Sequence, residues 1–344
     1  MLRFTVITWA MVALLALAIV LGGPFAGLAL AYMTVFTFFM DKITAIAAPD
    51  TPGQEFPAGD NLSISLGIIH FPLLYGGVWA LCSSPALALL DKVLLFFALS
   101  LFLGQVSNSN AHELIHRAPR FMRRLGVAVY SSVLFGHHAS AHVRVHHIHA
   151  ATDADPNSAK LGEPFYRYAV RAWIGSFRAG LLAESKLRGN TGTHPYVIYA
   201  AGSAASLAIA FAIADVAGVF VLLGLAIYAQ LQLLLSDYVQ HYGLRRAVTS
   251  EGKTEPVGPQ HSWNAPQGFS SALMLNAPRH SDHHAKPAKA YPGLELDRSA
   301  MPMLPHSLPV MAVLALVPPV WRRVMDKRAV KWAAPCAMDT AGIT

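Results

Sequence analysis

Six stretches of this chain dictate what it can fold into: Phe4–Gly22, Gly23–Met40, Asn61–Cys82, Val93–Ala111, Tyr196–Ala214 and Val216–Ser236. None contains Asp, Glu, Lys or Arg, and each approaches or reaches the ~20 apolar residues that a helix needs to cross a bilayer. Gly22-Gly23-Pro24 divides the first pair, Ser83-Ser84-Pro85 with Asp91-Lys92 the second, and Asp215 the third. The expected architecture is therefore all-α and membrane-embedded, with six transmembrane helices in three hairpins. Only 13% of the residues are charged, against roughly 25% in a soluble domain. The first stretch is long for a signal sequence and a second apolar helix follows at once, so it reads as a span. Leu308–Val320 has 13 residues and three prolines; it is too short to cross and reads as an interfacial or re-entrant segment.

Charge sets the expected orientation. Residues 1–111 hold 3 Lys/Arg and 5 Asp/Glu, and residues 112–344 hold 23 and 14. With six spans, segments 112–195 and 237–344 share one face, which the positive-inside rule assigns to the cytoplasm together with both termini. The whole chain, 1–344, then reads as one domain: a membrane bundle under a cytoplasmic, histidine-rich helical cap. A basic cap suits anionic lipid headgroups or an acidic protein partner. No nucleic-acid-binding module is recognisable. The run Arg117, Arg120, Arg123, Arg124 fits a headgroup-facing flank.

The second constraint is histidine, of which there are 16. His112-Glu113-Leu114-Ile115-His116 leaves the fourth stretch with two imidazoles four residues apart, hence on one helical face. In His142-Val143-Arg144-Val145-His146-His147 the same spacing pairs 142 with 146, and 147, turned about 100° away, is free to serve a second metal. His280-Ser281-Asp282-His283-His284 repeats spacings of three and four. The first spacing differs from the zinc-protease H-E-x-x-H. Cys82 and Cys336 are too few for a thiolate metal site, so nitrogen and oxygen must hold any metal.

These boxes resemble those of the membrane fatty acid desaturase and hydroxylase superfamily, and more closely its alkane 1-monooxygenase branch. The resemblance rests on His112-Glu-Leu-Ile-His116-Arg117 and on His146-His147 followed by Thr152-Asp153-Ala154-Asp155-Pro156. It continues through Gln240-His241-Tyr242-Gly243-Leu244, His261-Ser262-Trp263-Asn264, Arg279-His280-Ser281-Asp282-His283-His284-Ala285 and Val317-Pro318-Pro319-Val320-Trp321-Arg322-Arg323. It runs from the second stretch to about residue 328. Ala141 and Val145 depart from it, standing where that branch usually has Glu and Gly; Ala-His is more similar to the xylene-type methyl hydroxylases.

The resemblance implies nine ligands to two non-haem irons: His112, His116, His142, His146, His147, His241, His280, His283 and His284. It implies hydroxylation of the terminal carbon of a medium- or long-chain alkane drawn from the bilayer, using O2. The chain carries no flavin or nicotinamide fingerprint, so electrons must come from outside, and the resemblance implies a rubredoxin or ferredoxin with its reductase as the donor. Glu113, Asp155, Asp237 and Asp282 are candidates to orient the imidazoles. Methyl hydroxylation of an alkyl aromatic and fatty acyl desaturation or hydroxylation are the competing chemistries. A divalent-metal transporter fits poorly, because its ligands belong near the bilayer midplane and these boxes lie at the helix ends. The other seven histidines, His70, His137, His138, His149, His194, His261 and His306, read as hydrogen-bonded or interfacial residues.

Overall fold

The computed structural model describes residues 1–47, 59–189, 191–248 and 251–333; Cys336 lies outside them. Regular secondary structure among the described residues is helical, with two isolated bridges, Val248 to Thr254 and Asn264 to Met303, as their only β pairing. Helices long and apolar enough to cross a membrane are α1 (Leu2–Leu21), α2 (Pro24–Ile43), α3 (Gly59–Ser83), α4 (Leu89–His116) and α7 (Pro195–His241). Between α4 and α7 lie the amphipathic helices α5 (Arg120–Ser132) and α6 (Phe165–Arg188). The last described helices are α8 (Leu308–Ala315) and α9 (Pro318–Ala333), so the short apolar segment is two helices divided near its prolines. This is an integral, multi-pass membrane protein.

The expectation of six separate transmembrane helices is corrected to five helical elements long and apolar enough to cross a membrane. The last two apolar stretches form one helical element of 47 residues whose only irregular dihedrals are at Ala214 (φ −154°, ψ 39°) and Asp215 (φ 48°, ψ −142°). A straight helix of that length would extend about 70 Å. Yet Tyr199 near its start bonds Ser140 in the cap, and His241 at its end meets His280 in the same cap. The element therefore doubles back at the break. With ψ at −142°, Asp215 lies outside the left-handed helical well, so its backbone is strained and is held by the packing around it. At Gly218 a Cβ would lie 2.1 Å from the Ala210 carbonyl oxygen, so only glycine permits this closure. A reversal this tight has no loop to divide the two stretches.

Polar groups inside the bundle are tied up. His70 Nε2 lies 2.7 Å from Ser132 Oγ and its Nδ1 2.9 Å from Ser107 Oγ. Ser132 also donates to the Val129 carbonyl, so it must accept from His70, which puts a proton on Nε2. This histidine joins α3 to α4 and α5 as a packing element. Asn108 donates to the Ala229 carbonyl at 2.9 Å, binding α4 to α7. Beside it Gly104 allows close approach, since a Cβ there would meet Gln232 Cβ at 2.5 Å.

Candidate metal centre

Four segments deliver imidazoles to one place. The C-terminal turn of α4 brings His112 and His116, and the end of α7 brings His241. The segment 142–147 brings three, and the short helix His280–Ala285 brings three more. They sort into two groups: His112, His116, His142, His147 and His283 in one, and His146, His241, His280 and His284 in the other. Within each group one nitrogen per ring lies within 4.8 Å of every other.

The sorting differs from the one that helical spacing predicts. His142 and His146 separate, and His142 joins His147. The cause is local: residues His142–His146 form a π-helical turn, in which positions five apart align in place of positions four apart. In the third box His280 and His284 stay together at a spacing of four, while His283 crosses to the other group.

The nitrogens fit a bound cation better than they fit one another. His142 Nε2 lies 2.7 Å from His112 Nε2 and 2.9 Å from His147 Nε2, and His147 Nε2 lies 3.1 Å from His283 Nε2. His280 Nε2 likewise faces His241 Nε2 at 2.9 Å and His284 Nε2 at 3.0 Å. One ring nitrogen has a single in-plane proton or lone pair, so it cannot satisfy two such neighbours. His116 Nε2 and His146 Nε2 are buried with no partner at all. A positive ion at the centre of each group satisfies every one of these atoms. Burial first, and neighbouring imidazoles second, hold His142, His147, His280, His283 and His284 well below the usual histidine range. Neutral rings with free lone pairs are what iron, copper or zinc require of histidine.

Of the four carboxylates singled out from sequence, Asp155 meets an imidazole: its Oδ2 lies 2.8 Å from His146 Nδ1. Burial pushes His146 down, but the facing Asp155 together with the charge of Asp237 outweighs it and leaves the ring raised. Asp155 is in turn steadied by Ser158 Oγ at 2.6 Å and the Asn157 N–H at 3.0 Å. Asp237 accepts from Asn157 Nδ2 at 2.6 Å. Glu113 faces Arg117, which also pairs with Asp60, and Asp282 takes Lys289 at 3.0 Å. Those three are joined to other partners than the rings. Asn264 was marked only by its motif; its Oδ1 accepts the Ser281 N–H at 2.9 Å, holding the start of the last box, and Trp263 donates to the Gln240 and Tyr242 carbonyls at the end of α7.

A partly open cavity of about 70 Å³ reaches both groups through His112, His142 and His280. One wall is apolar, with Leu233, Met274, Ala277, Leu308 and Ala312; the other is polar and comes from α4 and α7. Sequence reading passed over this polar wall, although 105, 108, 109 and 112 fall on one helical face and point the way. His138 also lines the cavity, its ring 5.2 Å from His142, and belongs to neither group. His194 caps α7 and His261 bonds Glu255. Arg120, Arg123 and Arg124 border a separate groove of about 680 Å³ between α3, α5 and the first part of α7.

A helical membrane protein with two nests of imidazole, nine rings in all, is a histidine-box protein built for a pair of redox metal ions. Comparison with known proteins narrows the class. The fatty acid desaturase family matches residues 90–313. The chain is 31% identical over 273 residues to alkane 1-monooxygenase 2 of Alcanivorax borkumensis, covering 77% of this chain and 71% of that protein. It is 32% identical over 319 residues to alkane 1-monooxygenase of Acinetobacter baylyi, covering 90% and 76%. A more distant relative, the hydroxylase component of a xylene/toluene monooxygenase from Pseudomonas putida, is 26% identical over 226 residues, covering 63% and 58%. The chain belongs to the fatty acid desaturase family, within its alkane 1-monooxygenase branch.

Proposed function

We propose that His112, His116, His142, His147 and His283 hold one iron and His146, His241, His280 and His284 the other. The chain is a non-haem diiron monooxygenase that hydroxylates the terminal carbon of alkanes with O2. The carrying observation is that both imidazole groups border one cavity with an apolar wall. When bound, the iron pair supplies the O2 activation that an unactivated C–H bond demands and that zinc, without redox chemistry, does not.

The chain's own residues do the rest. Neutral imidazoles donate lone pairs without adding charge, so the site keeps the positive charge of its metals. Asp155, accepting from His146 Nδ1–H, directs Nε2 of that ring to the centre. Leu233, Met274, Ala277, Leu308 and Ala312 hold the alkyl chain and exclude water. The electrons come from a rubredoxin or ferredoxin fed by a reductase, docking by charge on the basic face.

The test is the full chain in lipid nanodiscs with a rubredoxin and its reductase, offered octane, hexadecane and xylene separately. Primary alcohol from an alkane and iron near two per chain are the expected results. Benzylic alcohol alone would transfer the enzyme to methyl-aromatic hydroxylation, and iron-free protein of full activity would end the reading.

A further inference from the structure

A second concavity lies behind the first, with α5 between them. Tyr130 of that helix borders the cavity at the imidazoles, whereas Ser131 and Ser132 border the groove of about 680 Å³ between α3, α5 and the first part of α7. The two ends of this groove differ in chemistry. Arg120, Arg123, Arg124 and Arg188 line its mouth, and Phe71, Val127, Ile198, Ala205 and Ile209 line the trough below. Along α7 the wall runs from Pro195 to Ile209, about 21 Å at helical rise, enough to cross the ~15 Å of hydrocarbon in one leaflet. Ile198, Ala205 and Ile209 are exposed, so the trough opens toward lipid.

The arginines at the mouth are not spent within the protein. The side chains of Arg120 and Arg124 are exposed and make no ion pair or hydrogen bond among the described residues. Arg123 donates only to the carbonyls of Arg117 and Ala118, which leaves its charge uncompensated. Glu184 is the one acid in the lining; it is buried against Arg188 at 3.1 Å, Arg144 at 3.6 Å and Ser140 Oγ at 2.9 Å, so its charge is already balanced. Lower down, polar groups close on one another: Tyr75 donates to Ser206 Oγ, and Ser206 to the Ser132 carbonyl. Ser131 Oγ, by contrast, is buried without a partner.

We propose that this groove is a binding site for one anionic phospholipid, with its phosphate on Arg120, Arg124 and Arg188 and one acyl chain laid along α7 as far as Ile209. Guanidinium groups match phosphate oxygens in both charge and fork geometry. Ser131 Oγ–H is the free donor for an ester carbonyl below the phosphate, and the second acyl chain stays in the bilayer. A free fatty acid has the charge and the chain but no ester to meet that donor. The bound lipid joins α3, α5 and α7 at the wall behind Tyr130 and so steadies the catalytic cavity from outside. It takes no part in the reaction, and the site does not depend on which metal the imidazoles hold.

The test places the full chain in phosphatidylcholine nanodiscs with a rising fraction of phosphatidylglycerol and follows Tm. A saturable rise is expected, because a ligand that binds only the folded protein stabilises it by mass action. The fraction giving half the rise should increase about fivefold in Arg124→Gln, the effect of one cation on an anionic headgroup, and further when Arg120→Gln is added. Lys327→Gln, exposed on α9 outside the groove, should leave it in place. Ala205→Trp fills the trough without touching a charge; it should abolish the rise and leave Tm in pure phosphatidylcholine as it was. No rise with phosphatidylglycerol, a midpoint moved as far by Lys327→Gln as by Arg124→Gln, or an undiminished rise in Ala205→Trp overturns the site. An equal rise from oleate in phosphatidylcholine also overturns it, since any anionic amphiphile would then suffice.

Discussion

The two imidazole groups are unequal. The first has five rings, and three of them, His112, His116 and His147, are partly exposed; the second has four, all buried. The second contains the ring fixed by a carboxylate, His146 against Asp155. The first depends on the chain ends that meet there: the last turn of α4, the π turn and the short helix of the last box. Ligand number and ligand rigidity are thus traded between them. A metal held by four buried rings, one of them fixed by a carboxylate, exchanges slowly because its ligands cannot swing out to water, whereas a metal held by five rings, three of them partly exposed, is reached more easily from outside.

The largest effect tests whether both groups are needed. His283→Ala removes a ligand from the first and His280→Ala one from the second; each should reduce alkane turnover to background and lower the iron content from two toward one. Elemental analysis and single-turnover assays measure both. Turnover surviving in either variant would break the pairing of the groups as one centre. Next is Asp155→Asn, which keeps the size of the side chain but removes the charge facing His146. Iron affinity should fall roughly 10- to 100-fold at the second group alone, whereas Glu113→Gln, whose carboxylate faces Arg117, should leave affinity within a few-fold. Chelation sharpens the contrast: with bipyridine, iron should leave the unaltered protein in two phases, the faster from the first group, and in Asp155→Asn the phases should converge. A single phase in the unaltered protein would erase the distinction.

How far the site was legible in sequence depends on which physical signal carried each residue. Eight of the nine imidazoles stand in boxes whose spacing marks them, because positions three or four apart on a helix share a face; His241 is named only by the resemblance of its motif. Their partition is not marked. It is set by a π turn at 142–146, and nothing in Val143-Arg144-Val145 signals that the backbone adds a residue to that turn. The six apolar stretches are equally plain and all are helical, yet their number as separate helices is not, since Asp215 reads as a tight turn between two helices and is a two-residue fold inside one element. Asp155 could be nominated but not chosen over Glu113, Asp237 and Asp282, because what distinguishes it is a contact nine residues back in a segment without regular secondary structure. The polar wall of the cavity depends on α4 meeting α7 at Gly104, a packing event that neither helix encodes alone.

The smallest predicted effect asks which group faces the electron donor. Lys286 is exposed at the end of the short helix that carries His283, pairing with Asp282 at 3.5 Å. Arg323 is exposed on α9, whose buried Trp321 packs against Tyr238 and Tyr242 at the end of α7, beside His241 of the second group. If an acidic donor docks over the more exposed group, Lys286→Glu should raise the KM for the donor roughly two- to fivefold, the size expected for one rim charge, and Arg323→Glu much less. Both variants should retain full iron, which separates docking from metal loss. Salt supplies the internal control: at ionic strengths where the Debye length falls to about 3 Å, the unaltered protein and Lys286→Glu should converge. An equal response from the two variants, or turnover indifferent to salt, would mean that the difference in exposure between the groups does not direct the donor.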